Sequence, residues 1–243
     1  MPAGPQGRPV IVQAGGTEGG LRLAGDFADV VFTVAQTRAK AVAFRDEVRR
    51  RATAAGRRPD DVKVSLGVVV LVSATEKEAR RRAEELYATL PLERLVAALN
   101  TGLGLPADAF GPDDPITLDD LPDSSEKAAF SVGFAESTRA LIAERPRSPR
   151  ELVRRSAGGS GHRLLIGSAP QVADDLESWF RAGAADGFTI MPAETAVDFE
   201  NFTRLVVPIL QDRGLFRNDH TARTLRERFG LPRPVRDVAG RPA

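Results

Sequence analysis

The sequence has no cysteine, only two histidines and no clear excess of either charge. Without cysteine there are no disulfides and no thiolate chemistry, and two histidines argue against a zinc cluster, so we expect no metal site. The 34 basic and 33 acidic side chains give a net charge of +1, which provides no attraction toward nucleic acid or an anionic membrane. No apolar run approaches the ~20 residues of a membrane span, and Met1–Pro9 lacks the apolar core of a signal peptide. We expect a cytoplasmic protein that acts on a small molecule.

The most informative segment begins with Val10–Ala14, an apolar run rich in β-branched residues that is typical of a buried strand in a parallel sheet. Gly15, Gly16 and Thr17 follow at once. Glycines let the backbone turn tightly and approach a ligand, and the first amides of the next helix point free donors at that place. Such a loop is a natural seat for a phosphate group. The alternative is a purely structural turn in which Thr17 is only a helix N-cap.

Five stretches along the chain share a recognisable order and spacing. The first two are Gln13-Ala14-Gly15 with a hydroxyl at Thr17, and Ala28-Asp29-Val30-Val31-Phe32. The later ones are Gly161-His162-Arg163 with Gly167 to Asp174, Gly183 to Phe188, and Gly214 through Thr224-Leu225-Arg226 to Pro232. These stretches resemble the flavin-dependent, bacterial luciferase-like monooxygenases. Their order and spacing are similar to the branch that contains nitrilotriacetate monooxygenase and dibenzothiophene sulfone monooxygenase. Together they cover nearly all of the chain.

The resemblance implies a two-component enzyme in which a separate flavin reductase supplies FMNH₂. The reduced flavin and O₂ then oxygenate a small organic or xenobiotic compound. The implied cofactor-binding residues are Gln13, Ala14, Gly15, Gly16 and Thr17, with the Thr17 hydroxyl donating to the flavin phosphate. Gln13 ends its strand at the carboxyl edge, where it reaches either the flavin or a neighbouring loop. The catalytic residues stay unknown, because the resemblance places them in an amino-terminal half that this sequence does not contain.

The predicted fold is α/β, namely the carboxyl-terminal half of a TIM (β/α)₈ barrel with a helical insertion. Four parallel strands are predicted, at Val10–Ala14, Asp29–Val34, Val62–Val72 and Gly187–Met191, whereas a closed barrel of this type needs eight. The resemblance places Met1 just before the fifth barrel strand. Since half a barrel leaves two sheet edges unpaired, we expect a homo-oligomer or association with the missing amino-terminal half.

The chain is divided into barrel βα units with the flavin-phosphate loop (1–90), a helical and loop insertion that forms a lid (91–160), the last barrel βα unit (161–215) and a tail (216–243). Within the insertion, Pro106–Ser124 contains six aspartates and no basic residue. It is either a lid segment or a disordered acidic loop. Helix N-caps are predicted at Thr37, Thr75, Ser148 and Ser168. The last helix is predicted to open at Asp198, with Phe199 inward and a kink at Pro208.

Other polar residues allow both a structural and a functional interpretation. His162, in a glycine-rich loop, suits acid–base chemistry, but a structural loop histidine is favoured. His220 is expected to be structural or exposed, and Asp186 fits ordinary turn chemistry. The charged run Arg80–Arg82 is expected to form a solvated helix face with i,i+4 ion pairs rather than a nucleic-acid surface.

Three functions remain open from the sequence. The first is the FMN-dependent monooxygenase. The second is a non-catalytic fragment or split subunit that needs a partner half, and the third is a deazaflavin-dependent oxidoreductase of the same superfamily. The substrate is not specified, because sulfones, aminopolycarboxylates and other xenobiotics all fit.

Overall fold

The computed structural model describes residues 4–123, 132–156 and 161–234. One sheet is formed by β1 (Val12–Ala14), β2 (Val30–Thr33), β3 (Lys63–Ser73), β4 (Arg163–Ser168) and β5 (Gly187–Pro192). The helices are α1 (Glu18–Phe27), α2 (Arg38–Ala54), α3 (Glu76–Ala88), α4 (Leu92–Gly102), α5 (Val132–Glu144), α6 (Pro149–Arg155), α7 (Ala169–Arg181), α8 (Thr195–Asn201), α9 (Val207–Asp212) and α10 (Leu225–Arg228). None of the helices in these ranges is long and apolar enough to span a bilayer.

All strand pairs in the sheet are parallel, and β3 lies at its centre. One edge of β3 pairs with β5. The other edge is shared, because β2 pairs with Lys63–Leu66 and β4 pairs with Val68–Ser73. Within the described residues, β1 pairs only with β2, and β4 and β5 pair only with β3, so each of these three strands has an unpaired edge.

The two faces of the sheet have different neighbours, since successive side chains of a strand point to opposite sides. On the helix face, Val64, Leu66 and Val68 pack in clusters with residues of α1, α2, α7 and the α8–α9 segment. The opposite side, which we call the open face, carries Ser65 and Gly67 of β3. There the Ser65 and Thr189 hydroxyl oxygens lie 2.8 Å apart. Near the carboxyl end of β3, α3 covers this face, because Leu71 packs on Ala79 and Ala83.

The expected α/β fold with parallel strands is confirmed, and all four predicted strands are present with slightly different ends. The strand β4 is absent from the prediction. It begins with an arginine, ends with Gly167-Ser168 and contains one β-branched residue, Ile166, so its intrinsic strand signal is weak. Pairing with β3, which is distant in sequence, determines its conformation.

The predicted helix starts are confirmed by capping hydrogen bonds. The side chains of Thr37, Thr75 and Ser148 accept from the amides of Lys40, Glu78 and Glu151, and Ser168 forms a reciprocal capping box with Gln171. These caps satisfy amides that have no partner within their helices. Local sequence therefore determined these boundaries.

The last long helix differs from its prediction. It begins at Thr195, before Asp198, and Phe199 is 54% exposed instead of inward. Between α8 and α9 the helix widens into a π-helical turn, Phe202–Val206, which ends two residues before Pro208. Proline cannot donate to the preceding turn and its ring crowds that turn, which accounts for the local irregularity.

The helices α4, α5 and α6 surround an apolar cluster of their own. Its buried members are Leu99, Leu103, Ile116, Leu121, Phe134, Leu141, Ile142, Leu152 and Val153. Residues 106–123 join this cluster through Ile116 and Leu121, and Ile116 pairs with Arg147 in a short antiparallel bridge. This acidic segment is thus packed rather than disordered, and its role as a lid stays a prediction.

The carboxyl-terminal segment packs back onto the start of β2 through Asp29. The carboxylate of Asp29 is buried and accepts from Arg226 at 2.7 and 3.1 Å, from Arg8 at 2.8 Å and from the Ile11 amide at 2.9 Å. Burial alone would raise the pKa of Asp29, but these hydrogen bonds, above all that from Arg226, hold the pKa below its usual value. Residues 235–243 of the predicted tail lie outside the described residues.

Two further aspartates accept hydrogen bonds from backbone amides near the two ends of β3. Asp186 accepts from Arg45 at 2.7 Å and from the Val64 amide at 2.9 Å, so it does more than shape the predicted turn. Asp198 is fully buried and accepts from the Val72 amide at 3.0 Å and from Arg82 at 2.9 Å. A buried carboxylate needs such partners, because its desolvation would otherwise be costly.

Candidate functional site

The loop after β1 turns the chain from strand to helix within three residues. Gly15 has φ +119°, in the left-handed region that side chains disfavour. Thr17 is the N-cap of α1, and its hydroxyl oxygen accepts from the Gly20 amide at 3.3 Å. Thr17 is therefore a helix N-cap, as the structural alternative predicted. Capping does not exclude a second role, because a hydroxyl that accepts one hydrogen bond can still donate another.

This loop presents several donors on one exposed surface. The amides of Glu18 and Gly19 open α1 and have no acceptor within the helix. The positive end of the helix dipole lies at the same place. Gly16 and Thr17 are exposed, so the surface is accessible to an anion.

The charge of Glu18, in the first turn of α1, is balanced by α2. Both carboxylate oxygens of Glu18 accept from Arg51, each at 2.7 Å. These hydrogen bonds lower the pKa of Glu18, so the carboxylate is ionised and paired at neutral pH. Its repulsion of an anion at the loop is reduced accordingly.

Gln13 supports the loop from beneath. It lies opposite Val31, which packs in the cluster of α1 and α2, so its side chain lies on the helix face. Its amide nitrogen donates to the Ala14 carbonyl at 2.8 Å and lies 3.2 Å from where a Cβ on Gly20 would be. Its buried Oε1 has no hydrogen-bond partner within the described chain. The Gln13 side chain thus lies against its own loop, and its contact with the flavin stays a prediction.

A second group of residues lies on the open face. The rings of Phe32 and His162 have centroids 5.8 Å apart at an angle of 40°. Both lie against Gly67 of β3, where an added Cβ would be 2.6 Å from His162 Cδ2 and 2.9 Å from Phe32 Cζ. Only glycine therefore leaves room at this position for the two rings in their present places.

The backbone before His162 is held from two sides. The Gly161 carbonyl accepts from Gln36 Nε2 at 2.9 Å in a buried hydrogen bond to the loop between β2 and α2. Gly161 has φ +79°, and an added Cβ would be 2.7 Å from Phe134 Cδ2 of α5. The imidazole is thus placed by the sheet, by the β2–α2 loop and by the helical region together.

A profile of the luciferase-like monooxygenase family matches residues 1–186 of this chain. The chain belongs to this family. The resemblance predicted from the sequence is confirmed, including the branch, because two similar proteins are those of that branch.

The chain is 38% identical to nitrilotriacetate monooxygenase component A of Aminobacter aminovorans over 98% of its own length and 52% of the relative. It is 34% identical to dibenzothiophene-sulfone monooxygenase of Rhodococcus erythropolis, over 100% of this chain and 53% of that one. The structure of EDTA monooxygenase from Chelativorans sp. BNC1 superposes with a TM-score of 0.74 and 36% identity, covering 96% of this chain and 53% of that one. The chain therefore spans about half the length of these family members.

Two other polar features are of the structural kind that the sequence predicted. His220 is exposed and its Nδ1 accepts from Arg217 at 3.2 Å. Arg80 and Arg81 form exposed i,i+4 ion pairs on α3. Arg82 differs from its neighbours, because it turns inward to Asp198 and is largely buried.

Sequence reasoning did not place the ring of His162 against the sheet, and its predicted structural role stays a prediction. A histidine beside several glycines is typical of a mobile loop, and nothing nearby in sequence shows that its ring lies on a strand. The signal that could have found it is Gly67, a glycine inside the strongest strand pattern, because such a glycine often marks a close approach. Within the described ranges, no group of three or more histidine, aspartate or glutamate residues is arranged to hold a metal ion.

Proposed function

We propose that this chain forms the flavin-phosphate side of an FMN-dependent, two-component monooxygenase. The observation that carries the proposal is the exposed donor group at the start of α1, in a chain of the luciferase-like monooxygenase family. When bound, FMN in its reduced form supplies the oxygen chemistry. The part of the protein described above supplies binding and placement.

The residues at the loop fit a phosphate group. Gly16, Thr17 and the first amides of α1 donate hydrogen bonds, and the Thr17 hydroxyl adds one more. The Gln13 side chain donates to the Ala14 carbonyl at 2.8 Å, directly before the turn at Gly15. Arg51 pairs with the Glu18 carboxylate, so the negative charge in the first turn of α1 is balanced.

The partners follow from the same assignment. A separate flavin reductase supplies FMNH₂, in keeping with a relative that is named as component A of its system. The substrate is a small organic or xenobiotic compound, since the relatives are named for nitrilotriacetate, EDTA and dibenzothiophene sulfone. The enzyme works in the cytoplasm.

The sheet is proposed to be the carboxyl-terminal half of a TIM barrel, with the helices between β3 and β4 as insertion and lid. Two observations support association with an amino-terminal half or with a second copy of the chain. The strands β1 and β5 have unpaired edges in the described structure, and Ile11, just before β1, and Val12, within it, are 41% and 63% exposed. Unpaired parallel edges with apolar side chains favour further strand pairing.

The test is a titration of the purified protein with FMN and with riboflavin, followed by flavin fluorescence. Riboflavin lacks the phosphate, so we expect FMN to bind more than about tenfold more tightly, as a charge-assisted hydrogen-bonded contact provides. The double variant Thr17→Val with Gly16→Val should lose that preference. Thr203→Val is the matched control, because the exposed Thr203 hydroxyl bonds only to carbonyls of its own helix, at 3.0 Å. Equal affinity for both flavins would contradict the proposal and would mean that the loop is a purely structural turn.

A further inference from the structure

We infer that Arg51 of α2 is a positioning residue for the flavin phosphate, because it holds the carboxylate of Glu18 away from the amides that receive the phosphate. The inference rests on the proposed function, since it concerns the same loop after β1. It assigns a part in flavin binding to a side chain on a different helix, which acts on the phosphate only through Glu18.

Glu18 is a competitor for the phosphate within the chain itself. It is the first residue of α1 and directly follows Thr17. A carboxylate at this position is attracted to the free amides and to the positive end of the helix dipole. Turned toward those amides, it would occupy the place of the phosphate and repel a group that carries nearly two negative charges. In the described structure both of its oxygens instead accept from Arg51, each at 2.7 Å.

The close packing of α1 on α2 brings Arg51 within reach of Glu18. A Cβ added to Gly25 of α1 would be 2.7 Å from Arg51 Cβ, so the two helices touch at this point. Glu18 precedes Gly25 by two helical turns, or about 10 Å, and lies on the same side of α1. Both helices run in the same direction, because each leads from the end of one parallel strand to the start of the next. A helical side chain leans toward the start of its own helix, so that of Arg51 extends from Gly25 toward Glu18.

A second carboxylate fixes the guanidinium of Arg51. Its Nε donates to Glu47, one turn earlier in α2, at 2.6 Å, while Nη1 and Nη2 form the two parallel bonds to Glu18. The Arg51 side chain is only 19% exposed, whereas that of Glu18 is 81% exposed. The mobile member of the pair is thus held by the restrained one. A planar guanidinium can bind both carboxylates at once, which an ammonium group cannot do with the same geometry.

The test is the ratio of the affinities for FMN and riboflavin, because this ratio isolates the contribution of the phosphate. Arg51→Met keeps an unbranched apolar chain beside Gly25 and releases Glu18. We expect the preference for FMN to fall by about threefold to tenfold, since an unbalanced charge at a helix N-terminus then opposes the phosphate. The fall should be smaller at high salt, which screens exposed charges. Arg50→Met is the matched control, because it removes the same charge but bonds only to Glu47.

A rescue variant separates this role from a merely structural one. Arg51→Met combined with Glu18→Gln should regain the preference of the unchanged protein, because no competing charge is left. Glu18→Gln alone should raise the preference by about twofold to fivefold, and this variant tests the inference even where Arg51→Met does not fold.

The outcomes distinguish the inference from the proposed function. If the unchanged protein prefers FMN and neither Arg51→Met nor Glu18→Gln alters that preference, the inference is wrong and the proposed function stands. A double variant as weak as Arg51→Met would also overturn the inference, because the loss would then be structural. If the unchanged protein binds both flavins equally, the inference and the proposed function both fail.

Discussion

Asp29 is a residue at which a single substitution should strongly weaken the fold. Its carboxylate joins the start of β2 to the carboxyl-terminal segment, and it is 1% exposed. In Asp29→Asn the shape is kept and the charge is lost, so the buried guanidinium of Arg226 remains without its counter-ion. Removing one member of a buried ion pair costs about 3–5 kcal/mol of unfolding free energy. We expect a loss in that range.

The assay is equilibrium unfolding in urea. With a slope of about 3 kcal/mol per molar urea, the loss lowers the midpoint of Asp29→Asn by about 1–1.7 M. Arg8→Met is the control, because the Arg8 side chain is 35% exposed and solvent takes its place, so its loss stays below about 1 kcal/mol. The double variant Asp29→Asn with Arg226→Met should be more stable than Asp29→Asn alone, since no charge is then left buried.

An unchanged midpoint for Asp29→Asn would refute this reasoning. It would mean that the buried guanidinium of Arg226 does not need the Asp29 carboxylate as its counter-ion. A double variant as unstable as Asp29→Asn would refute the narrower point, that the uncompensated charge of Arg226 causes the loss.

Two further predictions concern the helix after the loop and the acid range. The Gly19→Ala variant has open space around its new Cβ, so it should raise the free energy of unfolding by up to about 1 kcal/mol. In Gly20→Ala the new Cβ would lie 3.3 Å from Thr17 Oγ1, and this crowding offsets the gain. Thermal melts of the two variants test the difference. Burial acts to raise the pKa of Asp186, but the hydrogen bond from Arg45 holds the pKa below its usual value. The contribution of Asp186 to the stability of the fold is therefore complete above the unfolded pKa of about 3.9. It is lost as the pH falls through the pKa of the folded protein. The difference in urea midpoint between the protein and Asp186→Asn should thus shrink from pH 6 to pH 3, and a constant difference would contradict this account.

The features that depend on a few neighbouring residues, such as helix caps and the central strand, were predicted from the sequence. The caps at Thr75 and Ser168 and the β-branched run of β3 act within a few residues, and all were predicted. The family resemblance gave the parallel α/β fold, although no residue pattern alone would have ordered the strands. The phosphate loop was placed correctly at a strand end, while its binding of flavin stays a proposal.

What the sequence did not reveal depends on contacts between distant residues. β4 has a weak strand signal of its own. It forms a strand because it pairs with the carboxyl-terminal half of β3, Val68–Ser73. Asp29 is paired with Arg226, 197 positions away in the chain. His162 lies in a glycine-rich stretch, and only the three-dimensional structure brings it to Gly67. Periodicity over a short window cannot detect such pairings.

The central claim is that the start of α1 binds the phosphate of FMN, and amide NMR tests it most directly. Spectra of ¹⁵N-labelled protein would be recorded with FMN and with riboflavin at equal saturation. The account predicts that only FMN strongly shifts the amides of Gly16, Thr17, Glu18 and Gly19, which donate to the phosphate. Shifts of the same size with riboflavin, or FMN shifts that lie elsewhere in the chain, would contradict it.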